Sequence, residues 1–320
     1  MNTDRKLISV VVPIYCEQEV IEETYRQLTA TLGSLRGYRY EIIFVDDGST
    51  DRTGSIIKRL AATDPQLKVI RFSRNFGHQV AITAGIRMAR GDALVMIDAD
   101  LQDPPSLIPQ MVQLWEQGHE VVYAKRIGRQ GEGSFKKATA SVFYRLLNRL
   151  SAVEIPQDTG DFRLIDRKVA NELNRCGEHN RFLRGLVSWV GFRQVAVEYV
   201  RDPRWAGKTK YPLRKMMRFA WDGIISFSDR PLRLSSTLGF LAIMVAFVVL
   251  VYGLYQHWTG HTVKGWTSTL VTILFLGGIQ LFTLGIIGEY LSRIYDDIKR
   301  RPLYIVQEEI NFEPGDRGQS

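Results

Sequence analysis

Residues 7–15 read LISVVVPIY, an almost unbroken apolar run rich in β-branched side chains. A strand with one wet face alternates polar and apolar positions, whereas a run without alternation is a strand covered on both faces, as in a helix-sandwiched parallel sheet. Outward from it, residues 17–32 read as a helix, 40–45 as a second strand, 50–62 as a second helix with Ser49, Thr50 and Asp51 as cap candidates, and 68–72 as a third strand. A helix at 79–89, a strand at 93–97, a helix at 107–117 behind Pro104 and Pro105, and a strand at 121–124 continue the series. This alternation predicts an α/β fold on a doubly wound sheet, with ligands at the carboxyl ends of the strands.

A different physical regime begins at Leu234. From there to Gly288 the only formally charged residue is Lys264. Residues 234–256 and 265–288 are each long enough, at ~1.5 Å per helical residue, to cross a hydrocarbon core of ~30 Å. They predict a two-helix transmembrane hairpin. Arg230 and Arg233 precede it and Arg293, Lys299, Arg300 and Arg301 follow it, so both ends are expected on the cytoplasmic side. Residues 1–6 run straight into the first strand with no secretory leader in view, and two cysteines, Cys16 and Cys176, give no disulfide framework; a reducing compartment is expected. The net charge of +8 is unevenly spread: residues 125–233 hold 23 basic against 11 acidic side chains, while residues 1–124 hold 13 against 16.

Two strand ends carry carboxylates. Asp46 and Asp47 close the second strand, and Asp98, Asp100, Gln102 and Asp103 follow the fourth. In an extended chain Asp98, Asp100 and Gln102 share one side, a hard-oxygen set suited to Mg²⁺ or Mn²⁺ shared with substrate phosphates. A dinucleotide cradle is excluded after the first strand, because Glu17 and Glu19 stand where glycines would let a pyrophosphate approach.

VVPIYCEQE, VDDGSTD, DADLQDPP and GDFRLIDR, in this order, resemble glycosyltransferase family 2 in its polyisoprenyl-phosphate branch, and the apolar pair with its RRP segment is similar to that of bactoprenol glucosyltransferases. The resemblance covers roughly residues 7–230. It implies a GT-A type nucleotide-sugar-binding domain, a nucleotide-sugar donor with a divalent metal on its diphosphate, and inverting transfer of a hexose to a polyprenyl phosphate. By motif position, Pro13, Tyr15, Glu17 and Asp47 would line the base and ribose pocket, and Asp98, Asp100 and Gln102 would hold the metal or the donor beside it. Arg126, Lys136 and Ser141 match the acceptor-phosphate site, and Arg204, Lys208 and Lys210 lie in a basic loop expected to fold over the diphosphate. Asp158 and Asp161 are candidates for positioning acceptor or donor sugar, although a phosphate acceptor with a second pKa of about 6 needs no deprotonating base. UDP-glucose is the donor the resemblance favours, with GDP-mannose and a UDP-aminoarabinose derivative as alternatives.

The basic middle segment lies between this domain and the hairpin, so its partners are read as anionic lipid and phosphorylated ligands, with no nucleic acid. Residues 135–150 and 211–227 have the apolar spacing of interfacial helices. The domain reading is therefore a catalytic core at 1–165, its end with the basic loop and juxtamembrane helices at 166–233, the hairpin at 234–290 and a cytoplasmic tail at 291–320. Gly277, Gly278, Gly285 and Gly288 would permit close helix packing in a homo-oligomer. A processive polysaccharide synthase is disfavoured because residues 179–185 lack the tryptophan of Q-x-x-R-W. A non-catalytic adaptor would have no reason to keep Asp98, Asp100 and Gln102 together.

Overall fold

The computed structural model describes residues 5–127, 159–200, 228, 230–260 and 265–313. Strands β1 (Leu7–Ile14), β2 (Arg39–Asp46), β3 (Leu67–Phe72), β4 (Ala93–Met96), β5 (Val121–Arg126), β6 (Thr159–Asp166), β7 (Gln194–Tyr199) and β8 (Val306–Ile310) form one sheet in the order β7-β5-β6-β4-β1-β2-β3-β8. Ile8, Val10, Val11 and Val12 of the opening run are fully buried. One face of the sheet packs on α1 (Ile21–Gly33), α2 (Thr53–Thr63) and α4 (Ile108–Glu116), through side chains such as Leu28, Ile57 and Met111. The other packs on α3 (His78–Met88), α5 (Arg167–Arg175) and α6 (Leu183–Trp189), through Ile82, Val169 and Leu186.

The parallel neighbours β4-β1-β2-β3 bear out the doubly wound expectation, and the chain order reverses between β1 and β4, the crevice where such sheets bind ligands. The rest of the sheet is mixed. β6 runs antiparallel to both β4 and β5, and β7 parallel to β5. Because β6 enters antiparallel, its first residues lie at the carboxyl end of β4. The carboxyl ends of β5 and β7 reach the same rim, with Arg126 opposite Tyr199.

The helical ends shift from the sequence reading for local reasons. α1 begins at Ile21 because residues 17–20 form a turn after Cys16, whose φ of 55° breaks the chain direction. The Asp98–Asp100 segment is a turn and not extended backbone, which corrects the basis on which its side chains were aligned. Asp98, Asp100 and Gln102 are nevertheless the half-buried positions, alternating with buried Ala99, Leu101 and Asp103.

Two long helices follow, α7 (Arg230–Trp258) and α8 (Trp266–Ile298), both apolar enough to cross a membrane. Phe240, Val248, Leu274 and Leu281 on them are more than half exposed. The segment beyond was expected as a cytoplasmic tail. In the structure α8 runs on to Ile298, and residues 306–310 return to the sheet as β8, antiparallel to β3. The interfacial helices expected at 135–150 and 211–227, together with Lys136, Ser141, Asp158, Arg204, Lys208 and Lys210, lie outside the described residues.

Candidate active site

The rim that gathers the carboxyl ends of β1, β2, β4, β5 and β7 is held in shape largely by hydrogen bonds between loop backbone and side-chain hydroxyls. The turn after β1 is stitched to the start of α2, with the Cys16 amide donating to Ser49 Oγ at 2.9 Å and the Glu17 amide to Thr53 Oγ1 at 3.0 Å. Thr24 of α1 donates its hydroxyl to the carbonyl of Ala99 at 2.7 Å, fixing the turn that carries Asp98 and Asp100. Gly48 has φ of 70°, and a Cβ there would fall 2.5 Å from the backbone of Arg74, so the loops after β2 and β3 touch.

His78 is the centre of the charged group. Its Nε2 lies 3.4 Å from Asp98 Oδ1 and 3.2 Å from Asp161 Oδ2. Asp161 also accepts from Arg184 at 2.8 and 3.1 Å and from the Gln79 amide at 3.3 Å. Burial opposes a charged His78, but the field of Asp98 and the hydrogen bond to Asp161 overcome it and raise its pKa to about 9. Burial also favours a neutral Asp161, yet Arg184 and His78 hold it well below the usual carboxylate range. Asp98 behaves oppositely: burial dominates and, with repulsion from Asp161, Asp103 and Asp100 outweighing His78, pushes it up to about 6.

A second polar group sits beside it. Arg126 donates Nε to Tyr199 Oη at 3.1 Å, and its guanidinium lies 3.6 Å from Asp103 Oδ2. Tyr199 in turn donates to Asp103, which is fully buried. A Cβ at Gly160 would come within 2.6 Å of the same guanidinium, so glycine there leaves the space Arg126 occupies.

The structure therefore brings together Asp98, Asp161 and, on the neighbouring strand ends, Arg126. Asp100 stands beside them, its Oδ1 accepting the Gln102 amide at 3.2 Å. Tyr15 is exposed at the end of β1. Pro13 is buried inside β1 opposite Val45, and Asp47 is nearly buried, its two oxygens taking the amides of Phe76 at 2.6 Å and Gly77 at 2.9 Å. Both are therefore held within the end of the sheet and its loops. By its place after the third strand in Asn75-Phe76-Gly77-His78, His78 reads from sequence more as a turn or packing residue than as one that reaches the site; the structure puts it between two carboxylates. Asp103, read among the carboxylates after β4, is the buried partner of Tyr199. Arg184, Gln79 and Tyr199 were not singled out; the arginine lies in the residue 179–185 stretch, where its basic character was the one available signal.

The residues fit a divalent cation. Asp98 Oδ1 is buried with no hydrogen bond among the described residues, and burial, with Asp161, Asp103 and Asp100 nearby, leaves its charge under-compensated. No three His, Cys, Asp or Glu side chains among the described residues form a self-sufficient cage. Mg²⁺-like ions take one or two carboxylates and complete their shell with water and substrate phosphate, so Asp98 with Asp100 would suffice as the protein's share.

Fold and rim together define a GT-A-like α/β glycosyltransferase with an appended pair of membrane-type helices. The chain belongs to glycosyl transferase family 2, which matches residues 9–173, and the GtrB C-terminal hairpin matches residues 230–294. Among its relatives, the uncharacterised glycosyltransferase YkcC of Bacillus subtilis is 54% identical over 95% of this chain and 94% of its own length. The prophage bactoprenol glucosyl transferase homolog of Escherichia coli is 43% identical over 94% and 98%. The bactoprenol glucosyl transferase of Shigella phage SfII is 42% identical over 94% and 97%.

Proposed function

We propose that this chain transfers a glucosyl residue, with inversion, from UDP-glucose to undecaprenyl phosphate or a similar polyprenyl phosphate, giving a lipid-linked sugar for cell-envelope glycosylation. The observation that carries the reading is the union, in one chain, of the acidic rim around Asp98 with a hairpin of the GtrB type. Relatives named for bactoprenol glucosyl transfer, similar over nearly their whole length, favour glucose over mannose or aminoarabinose.

Asp98 and Asp100, with Gln102, would hold Mg²⁺ or Mn²⁺, whose charge when bound offsets the negative charge developing on the departing diphosphate. His78, cationic at neutral pH, adds a fixed positive charge to the same rim. Arg126, braced by Tyr199 and Asp103, presents its guanidinium to the acceptor phosphate, with Lys136 and Ser141 completing that site. Asp161 is a poor proton acceptor because Arg184 and His78 stabilise its ionised form, so it positions, together with Asp158, rather than deprotonates. The acceptor phosphate is already ionised near neutral pH and is its own nucleophile. Tyr15 and Glu17 line the base side of the donor pocket, and Arg204, Lys208 and Lys210 close over the diphosphate. The hairpin spans a bacterial inner membrane twice with both termini cytoplasmic, and its glycines support a homo-oligomer.

Membranes containing the protein, incubated with UDP-glucose, GDP-mannose or a UDP-aminoarabinose derivative and Mn²⁺, test the reading by mass spectrometry of the lipid fraction. A hexosyl polyprenyl phosphate from UDP-glucose is the expected product, and none from any donor would sink the proposal. Asp100→Ala is expected to lower transfer by about 100-fold or more. Its circular dichroism and melting temperature should stay near those of the parent.

A further inference from the structure

Neither family match reaches the segment after α8, yet that segment is built into the catalytic domain. β8 pairs with β3 from Val69↔Ile310 to Phe72↔Val306, and the Ser73 amide donates to the Ile305 carbonyl at 3.0 Å. Tyr304 stacks on Phe72 with ring centroids 4.9 Å apart and planes 18° from parallel. Asn311 locks the far end, its amide nitrogen donating to the carbonyls of Ala61, Leu67 and Asp64 at 2.7, 2.8 and 3.2 Å.

What the segment grips is the approach to the site. Phe72, held by Tyr304, packs edge-to-face on Phe76 at 5.7 Å. The amides of Phe76 and Gly77 carry Asp47, and the next residue, His78, meets Asp98 and Asp161. One six-residue stretch, 73–78, thus connects the tail to three carboxylates of the rim.

We propose that the segment from Tyr304 to Asn311 is a positioning element of the donor site, with Tyr304 as its key side chain, so that the polypeptide leaving the membrane helices sets the geometry of residues 73–78. The inference rests on the reading of this rim as the donor site. A tail tied only to the outer edge of β3 would add stability alone; the ring pair Tyr304–Phe72–Phe76 ties it to the loop that presents Asp47 and His78.

The full-length protein in membranes tests this with Tyr304→Ala and Tyr304→Phe, the second of which keeps the ring. Tyr304→Ala is expected to raise the KM for UDP-glucose about three- to tenfold, the range a lost ring pair can supply, with the KM for polyprenyl phosphate unchanged. Tyr304→Phe should restore parental behaviour. A merely structural role would reduce the active fraction and leave the donor KM alone, and that result would overturn the proposal. Hydrogen exchange of the Phe76 and Gly77 amides gives an answer independent of the donor reading. Faster exchange in Tyr304→Ala and parental exchange in Tyr304→Phe support the positioning role; unchanged exchange in both overturns it. If exchange responds while no variant, nor the parent, has measurable affinity for UDP with Mn²⁺, the donor-site reading fails and the positioning of the loop stands.

Discussion

His78 and its two carboxylates show how a single rim keeps opposite charge states side by side. A histidine whose folded pKa is raised to about 9 stabilises the fold fully below its ordinary value of 6.5, and that contribution is lost as pH rises through 9. Asp161, depressed, contributes above its ordinary value of 3.8 and loses the contribution as pH falls. In metal-free protein, His78→Gln should therefore flatten the decline of thermal stability between pH 6.5 and 9. The difference should be about 1 kcal/mol, because a side chain 36% exposed is partly screened by solvent. Parallel melting curves of parent and variant across that range would refute the ion-pair account. The second polar group offers a separable test. Tyr199→Phe removes the hydroxyl between Asp103 and Arg126 and should raise the KM for the lipid acceptor about tenfold, leaving that for UDP-glucose unchanged. An equal rise in both would place Arg126 elsewhere in the reaction. Asp98, Asp100 and Asp103 were legible because carboxylates follow the fourth strand, and Asp161 through its place in GDFRLIDR. Arg184 and Tyr199 were not, since their partners come from strands and helices that only the tertiary fold brings to one rim.

At the scale of elements, the parallel half of the sheet was readable because strands buried on both faces must be continuously apolar, as β1 is. β8 escaped for the converse reason. Its sequence, VQEEI, is short and polar at Glu308 and Glu309, as an edge strand must be to avoid pairing with other chains, and such a strand carries little pattern. The place of β6, antiparallel between β4 and β5, is likewise a matter of chain order that local pattern does not encode. Close packing between elements is testable at Gly85. A Cβ there would overlap the Val11 side chain, so α3 lies against β1 only because residue 85 has none. Gly85→Ala should cost about 1–3 kcal/mol by overpacking a core with no slack. Adding Val11→Ala, which frees volume at the point of overlap, should recover part of the loss. Denaturant melts showing two independent, additive losses would mean that α3 shifts away from the sheet instead.

Across the whole molecule, charge and hydropathy divide the work. The helices α7 and α8, 29 and 33 residues long, measure about 44 and 50 Å, more than the ~30 Å of hydrocarbon they would cross. At the end carrying Arg230, Arg233 and the stretch from Glu289 to Lys299, α8 meets the catalytic domain where the His179 amide donates to Asp297 Oδ1 at 2.9 Å, and Tyr290 of α8 donates its hydroxyl to the carbonyl of Ser228, just before α7, at 2.6 Å. The base of the hairpin is thus tied to itself and, through Asp297 and the returning strand β8, to the catalytic domain. The exposed apolar sides of these helices are expected to face lipid, and a charge placed there should resist insertion. Val245, near the middle of α7 and 53% exposed, is the position to probe. A lysine at a helix centre costs roughly 2.5–3.5 kcal/mol on insertion, so Val245→Lys should lower the fraction of chain retained in carbonate-washed membranes, whereas Val245→Leu should not. Equal retention of the two would mean that this face is covered by protein, as in an oligomer packed through the hairpins, and blue-native electrophoresis of the parent would then show a species several times the 36.6 kDa of one chain.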